Sequence, residues 1–210
     1  MKRLSNATGP GTARRDWGNG SDRGLQTAMP RALQPFTPFH DIEARRRWAG
    51  PVVAGVLTRE LAEFCQSGIS IVIAARDAGG KPVAGTAKAC RITSDGRMRI
   101  FLAEPANAAL LAAFAQGSPV AATFSAPRTH RSIQVKSSSA RKVDLEEGDP
   151  GETLRQVRAF AGELVFVNYT QRFASAFTAY RPDEIVAVEF SPEEAFVQTP
   201  GPGAGEQLAS

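Results

Sequence analysis

The sequence predicts a mainly β domain with flanking helices, in which six antiparallel strands form a closed or split β-barrel. Three observations support this prediction. Apolar runs of strand length recur between residues 69 and 190, and Gly- and Asp-containing turns join the first three of them. Strands that are joined by tight turns pair antiparallel. Helical segments lie between and after these strands, where they can cover the ends of a barrel.

The composition indicates one medium-sized domain with a basic tail. The chain has 210 residues, of which 42% are hydrophobic, and its net charge is +4. Residues 1–50 hold nine Lys and Arg against four Asp and Glu, so the other 160 residues hold 16 bases against 17 acids. A nucleic-acid-binding domain is itself basic. The charge distribution therefore argues against nucleic acid as a partner of the folded body, apart from a weak contribution of the tail.

Cysteine usage and hydropathy bear on the compartment. Cys65 and Cys90 lie in apolar surroundings without metal-like spacing, which predicts two buried, reduced thiols. No apolar run reaches the length of about 18 residues that a membrane span needs. Arg14 and Arg15 are followed by polar residues where a signal sequence has its apolar core. We therefore expect a cytoplasmic protein.

Changes in composition divide the chain into three parts. Residues 1–50 are rich in Gly, Pro, Ser and Arg without periodicity, which predicts a disordered or loosely draped tail with a short helix at 41–48. The arginines of that helix suit either an anionic partner or a solvated helix end. Residues 51–198 form the barrel domain, with a helical insertion at 152–180. Residues 199–210 carry too much Gly and Pro for regular structure.

The elements of the barrel domain follow from local patterns. Thr58 can cap a helix that runs to Ser67 and stops at Gly68. A second helix covers 105–116, and two more cover 152–168 and 171–180. The strands are predicted at 69–75, 82–93, 98–103, 120–124, 132 onward to as far as 143, and 185–190.

The segment Val120–Ser137 combines a strand, a turn with Pro127, a basic cluster and an alternating strand. Ser132, Gln134 and Lys136 share one face of that second strand, because alternate strand residues point the same way. Arg128, His130 and Arg131 precede this polar row. The pattern suits either a site for an anionic, hydrogen-bonding ligand or the solvated outer face of a barrel. His130 is either a ligand-binding residue or a turn histidine without chemical duty.

From Thr58 to Val143 the chain resembles the pyridoxamine 5′-phosphate oxidase-like split barrels that bind flavin mononucleotide (FMN). The resemblance rests on the helix that ends at Gly68 and on the segments ISIVIAAR, PVAGTAKACRI, FLAEPANAALL and RSIQVK. The segment EIVAVEFSPEEAFVQTPGPGAG resembles the C-terminal part of a subgroup of these proteins. The resemblance implies a six-stranded split barrel that forms a homodimer, with FMN in a groove between the subunits.

The resemblance also implies a set of cofactor-binding positions. Some lie on the strand that lines the flavin, some where the backbone meets the ring or ribityl chain, and some on the RSIQVK strand. Asn107 and the helix N-terminal amides are available to the anionic end of the cofactor, and Lys88, Arg91 or Arg131 are candidates to supply its positive charge. The set is Lys88, Cys90, Arg91, Leu102, Ala103, Asn107, Arg131, Gln134 and Lys136.

One departure from the family concerns the phosphate. The family's phosphate-binding Arg-Lys pair falls here on Ala108 and Ala109, which cannot form charge-assisted hydrogen bonds.

The sequence holds no metal set, nucleophile elbow or Gly-rich phosphate loop. We expect an FMN-dependent oxidoreductase for a small organic substrate, because a flavin itself carries the redox chemistry. The alternative is a non-catalytic flavin- or haem-binding module that uses the same groove, so enzymatic activity stays open.

Overall fold

The structure of the protein, a computed structural model, describes residues 52–54 and 56–208. Residues 1–50, for which a basic tail and a helix at 41–48 are predicted, lie outside the described residues. Within the described residues, no helix is long and apolar enough to cross a membrane.

Ten strands and four helices make up the described chain. The strands are β1 Val52–Ala54, β2 Leu57–Thr58, β3 Ser70–Arg76, β4 Pro82–Ile92, β5 Met98–Ala103, β6 Val120–Ser125, β7 Ser132–Ser137, β8 Arg141–Val143, β9 Ile185–Phe190 and β10 Glu194–Val197. The helices are α1 Arg59–Cys65, α2 Ala108–Ala115, α3 Asp149–Phe166 and α4 Gln171–Thr178. Two 3₁₀ turns, Pro105–Asn107 and Pro182–Glu184, precede α2 and β9.

Strands β3 to β10 form one antiparallel sheet in the order β10-β7-β6-β3-β4-β5-β9-β8, while β1 and β2 pair separately. This confirms the prediction of a mainly β, antiparallel fold with flanking helices. The sheet has eight strands where six were expected, because the two short edge strands β8 and β10 were not predicted. The strand that starts at Ser132 does not continue to Val143, since β8 is a separate strand at the far edge of the sheet.

Two short connections show that this sheet is rolled. Residues 138–140 join β7, the second strand in the order, to β8, the last, and residues 191–193 join β9, the seventh, to β10, the first. In a flat sheet each pair would be about 29 Å apart, at about 4.8 Å per strand. The connecting chain reaches at most about 14 Å. The two edges must therefore approach each other, as in the predicted barrel.

The core of the barrel is one continuous apolar cluster. It contains residues from α1, α2 and seven of the eight strands of the large sheet, including Ile73, Ile100, Phe124, Val135 and Val188. Both cysteines are free and fully buried in it, which confirms that prediction. Burial raises the pKa of both thiols, so neither is a reactive nucleophile at neutral pH.

Helix α3 packs closely on the start of β3. Gly68 has a φ of +84°, and a Cβ added there would lie 2.5 Å from Cβ of Ala159 and 2.8 Å from the carbonyl oxygen of Gln156. The Gln156 side chain is buried, accepts from the N–H of Cys90 at 3.1 Å and donates to its carbonyl at 2.5 Å. Gln156 therefore binds the backbone of β4 much as a neighbouring strand would.

A buried ion network fixes the N-terminus of α3. Arg99 on β5 donates to Asp149, the first residue of α3, at 2.6 Å and pairs with Glu189 on β9 at 3.2 Å. Arg91 donates to the other oxygen of Asp149 at 2.8 Å. Asp149 also lies where the helix dipole favours an anion. The sheet thus determines where the helical insertion begins.

Candidate functional site

The outward-facing side chains of β3, β6, β7 and their two neighbours, β4 and β10, form a surface that we call the outer sheet face. The side chains of β6 alternate between buried and half-buried, so that Ala122 and Phe124 enter the core while Ala121, Thr123 and Ser125 face outward. On β3, Val72 faces outward and is 42% exposed. The face therefore combines small, polar and apolar groups that the described chain leaves uncovered.

The strand register aligns one straight row across this face. Val72 lies opposite Thr86 on one side and Thr123 on the other, and Gln134 lies between Thr123 and Phe196. The Gln134 amide nitrogen donates to Oγ1 of Thr123 at 3.1 Å. Among the described residues nothing donates to the Gln134 amide oxygen, so it can accept a hydrogen bond from a ligand on this face.

A second row, parallel to the first, has a floor of small residues. Ala74 lies between Ala84 and Ala121, and Lys136 follows Ala121. The Lys136 ammonium lies 4.1 Å from the centre of the Phe196 ring. An open cavity of about 470 Å³ includes Ala74, Ala121 and Lys136. The structure thus brings Gln134 and Lys136 together on one face, as the alternation of the strand predicts.

A hydroxyl-rich cavity of about 360 Å³ lies at the other end of this face. Ser70, Ser125 and Ser132 line it together with His130 and Gln198. The hydroxyl oxygens of Ser125 and Ser132 are 2.6 Å apart, and Ser132 also donates to the carbonyl of Phe124. His130 has a φ of 56°, which is uncommon for a residue with a side chain. The cavity therefore presents hydroxyl and imidazole groups to an anionic or hydroxylated ligand.

Lys88 lies on β4 just after the last residue that pairs with β3. Ile71 pairs with Ala87, and the pairing of β4 with β5 is irregular between Ala87 and Ala89, so Lys88 lies at a bulge of β4. The Lys88 ammonium donates to the carbonyl of Ala179 at 2.9 Å, and burial lowers its pKa. Of the predicted cofactor residues, Gln134 and Lys136 share the outer sheet face.

Asn107 and Ala103 lie together at the start of α2. The Asn107 amide nitrogen donates to the carbonyl of Ala103 at 2.8 Å, while its buried amide oxygen has no partner among the described residues. A Cβ on Gly85 would lie 1.9 Å from that oxygen, so only glycine fits beside it. Asn107 makes no cap hydrogen bond to α2. Its side chain fills space next to β4, and its role at the anionic end of a cofactor stays a prediction.

Other predicted side chains lie away from the outer sheet face. The side chains of Cys90 and Leu102 are fully buried in the core cluster, so they cannot contact a ligand on the outside of the barrel. The Arg91 guanidinium is paired with Asp149 and Glu146. Arg131 lies 3.7 Å from Glu60 and over the ring of Phe64. A cofactor role for these four positions stays a prediction, and for Cys90 and Leu102 it is limited to the backbone.

The outer sheet face offers groups that suit a flat ring, whereas the start of α2 lacks the basic pair that binds phosphate in the family. The alanine floor offers a flat contact surface, and Gln134 and Lys136 offer polar groups at its side. The N-terminus of α2 carries Ala108 and Ala109 and no basic residue in its first turn. The hydroxyl groups of Ser70 and Ser125 line the cavity at the other end of the face. Binding of FMN at this face stays a prediction.

Sequence reasoning missed the residues that position the insertion. Arg99 and Glu189 are charged residues inside the apolar strands MRIFLA and IVAVEF, and they lie directly opposite each other. Charged residues in buried strands are almost always paired. Charged residues in these two apolar strands therefore indicate a buried ion pair from the sequence alone. Gln156 gave no comparable signal, because a glutamine in an amphipathic helix is ordinary.

Comparisons with known proteins give likenesses of structure only. No protein-family model matches the sequence, and no curated protein sequence matches it. A crystal structure from Lactobacillus delbrueckii, named only provisionally as a pyridoxamine 5′-phosphate oxidase, is 16% identical, with a TM-score of 0.41 over 67% of this chain and 93% of that one.

Two further structures are similar. HupZ of Group A Streptococcus is 13% identical, with a TM-score of 0.44 over 71% of this chain and 99% of that one. HutZ, the haem storage protein from Vibrio cholerae, is 15% identical, with a TM-score of 0.39 over 66% of this chain and 92% of that one. At these identities and TM-scores, the chemistry of the site has to be derived from the residues of this chain.

Proposed function

We propose that the protein binds FMN on the outer sheet face and acts as an oxidoreductase of the pyridoxamine 5′-phosphate oxidase-like kind on a small organic substrate. The observation that carries this proposal is the pair of aligned rows across the sheet. One row supplies the flat floor of Ala74, Ala84 and Ala121, and the other supplies Gln134 beside Thr123. A cytoplasmic location is part of the proposal.

Each end of the face has a separate task in this proposal. Gln134 accepts a hydrogen bond from the polar edge of the ring, and Lys136 adds positive charge on the same side. Ser70, Ser125 and Lys88 bind the phosphate in place of the basic pair that Ala108 and Ala109 replace. FMN supplies the electron and hydride chemistry when bound, and the protein supplies orientation and electrostatics.

A homodimer belongs to the same proposal. Strand β3 lies in the middle of the sheet, yet its Val72 side chain is 42% exposed in the single chain. A second copy that covers the outer sheet face would bury this apolar surface and would enclose a ligand bound there.

The second candidate is a binding module without turnover, which holds flavin or haem in the same place. Ala108 and Ala109 favour it, because a weaker phosphate site suits reversible binding rather than a tightly held cofactor.

The test begins with the absorbance spectrum of the purified full-length protein, followed by titration with FMN and with haem. We expect a flavin spectrum or saturable FMN binding, and reduction of the bound flavin by an added electron donor. FMN binding without turnover of any donor would favour the binding module. A protein that binds no FMN would refute the flavin proposal.

A further inference from the structure

Exposed aromatic residues follow one another from the end of α3 to the last turn of α4. Phe173 and Phe177 are four residues apart on α4, so they share one side of the helix, and Tyr169 lies two residues before the helix begins. The rings of Tyr169 and Phe173 stack at 4.7 Å between centroids, and those of Phe173 and Phe177 at 5.6 Å. Phe166, at the end of α3, is also exposed. We call these four residues the aromatic ladder.

The aromatic ladder is a poor surface for a single chain in water. Of the eight residues of α4, only Ala174 and Thr178 are buried. Phe166, Tyr169, Phe173 and Phe177 are 61, 49, 43 and 54% exposed. If each complete side chain presents roughly 200 Å², these fractions leave about 400 Å² of aromatic surface in solvent. A monomeric protein rarely exposes a contiguous apolar patch of this size without a function for it.

The ladder borders the outer sheet face. Lys88 on β4 donates to the carbonyl of Ala179 just beyond the end of α4. Arg128, in the turn that follows β6, lies 3.7 Å from the centre of the Phe166 ring and pairs with Glu163 at 2.8 Å. These two contacts place the helical insertion at the rim of the face. One chain thus presents two neighbouring surfaces, an exposed aromatic one and a sheet face with exposed Val72 at its centre.

We propose that these two surfaces are the contact between two copies of this chain, in which the aromatic ladder of each copy packs on the outer sheet face of the other. In a dimer with a two-fold axis the contact is reciprocal, so the ladder and the outer sheet face of each copy are both covered. Each ladder that buries about 400 Å² covers a similar area of the facing sheet. The two contacts together then bury about 1,600 Å², which is the usual size of a stable interface.

This arrangement makes the ligand site depend on the second copy. The ladder of one copy lies over the floor formed by Ala74 and Ala121 of the other, where an aromatic ring can cover a flat ligand from the open side. The inference rests on the homodimer of the proposed function, but it does not require that the ligand is FMN. Helix α4 is exposed to solvent in the single chain and becomes part of the ligand site of the other copy in the dimer.

The first experiment measures assembly of the full-length chain. Light scattering of the wild type should give a dimer at micromolar concentration. Phe173→Ser together with Phe177→Ser should raise the dimer dissociation constant about 100-fold or more, because interface aromatics carry much of the binding energy. Leu154→Ser is the matched control, since Leu154 is 41% exposed on α3 but lies outside the ladder. It should leave the dimer intact, and urea unfolding should confirm that all variants are folded.

The second experiment tests which surfaces meet. A tagged chain with Val72→Cys is mixed with an untagged chain with Phe177→Cys, and a short bis-maleimide is added. The native thiols of Cys65 and Cys90 are buried and do not compete. A cross-linked species of one tagged and one untagged chain supports the proposal. Leu145→Cys, 38% exposed, replaces Phe177→Cys in the control and should give no such species.

Three results would overturn the inference. They are a monomeric wild type, a dimer that the Phe173 and Phe177 changes leave intact, and an absence of the mixed cross-link. A monomeric wild type that loses binding to anionic lipid vesicles when the ladder is changed would assign the ladder to a membrane surface instead. FMN titration is separate from these readouts. A ladder-dependent dimer that binds no FMN would keep this inference and refute the flavin proposal.

Discussion

Replacing Gly68 by alanine should destabilise the protein more than an ordinary glycine substitution does. The φ of +84° costs a residue with a Cβ about 1–2 kcal/mol. The new methyl group would also lie 2.5 Å from Cβ of Ala159 and 2.8 Å from the carbonyl oxygen of Gln156, both on α3. Forcing an extra carbon into a packed contact costs about 1–3 kcal/mol more. We therefore expect a total loss of about 2–5 kcal/mol in the free energy of unfolding.

Gly80→Ala provides the matched control for this experiment. Gly80 has a similar φ of +78°, but a Cβ there meets no atom within 4 Å, so only the backbone cost of about 1–2 kcal/mol should appear. Urea unfolding of both variants separates the two contributions, and a loss of 1 kcal/mol should lower the Tm by about 2–4 °C in a chain of this size. If Gly68→Ala were no worse than Gly80→Ala, the close packing of α3 on the start of β3 would be refuted.

The remaining predictions concern the ion network, the core and the phosphate end of the site. Burial raises the pKa of Glu189, but hydrogen bonds from Arg141 and Arg99 outweigh it and hold the pKa below its ordinary value. The contribution of Glu189 to stability is therefore complete above about pH 4.3 and is lost as the pH falls through the lowered pKa. Urea unfolding of Glu189→Gln should show a loss of about 3–5 kcal/mol in the free energy of unfolding at pH 7. The stability of this variant should also depend less on acid pH than that of the wild type. Ile133→Thr should lower the free energy of unfolding by about 1–3 kcal/mol without changing the residues that face a ligand, because it places a hydroxyl in the core. Ser70→Ala should weaken binding of FMN but not of riboflavin, which lacks the phosphate, and equal losses for both ligands would contradict the placement of the phosphate.

Local patterns predicted most of the element bounds. Strands β5 and β9 begin and end where the sequence indicates, and Thr58 accepts a hydrogen bond from the N–H of Leu61 as the predicted cap. These features depend on residues within one element or one turn. The shared face of Gln134 and Lys136 was predictable for the same reason, since a strand fixes which residues point the same way.

Features that depend on contacts between distant segments were harder to predict. The Arg91 guanidinium pairs with Asp149, 58 residues further along the chain, and no local pattern reveals this partner. Strand β8 was read as an extension of β7, because three residues between two strands do not reveal that the chain crosses from one edge of a rolled sheet to the other. The aromatic ladder was not predicted, and only the fold shows that α4 buries just two of its residues.

The central claim is that a flavin binds on the outer sheet face beside Gln134, and FMN titration of the wild type and of Gln134→Leu tests it most directly. Leucine keeps comparable bulk but removes the amide that bonds to Thr123 and faces the ligand. We predict saturable binding by the wild type and an affinity about ten-fold weaker for the variant, which corresponds to about 1.4 kcal/mol. Equal affinities, or no FMN binding by the wild type, would contradict the claim.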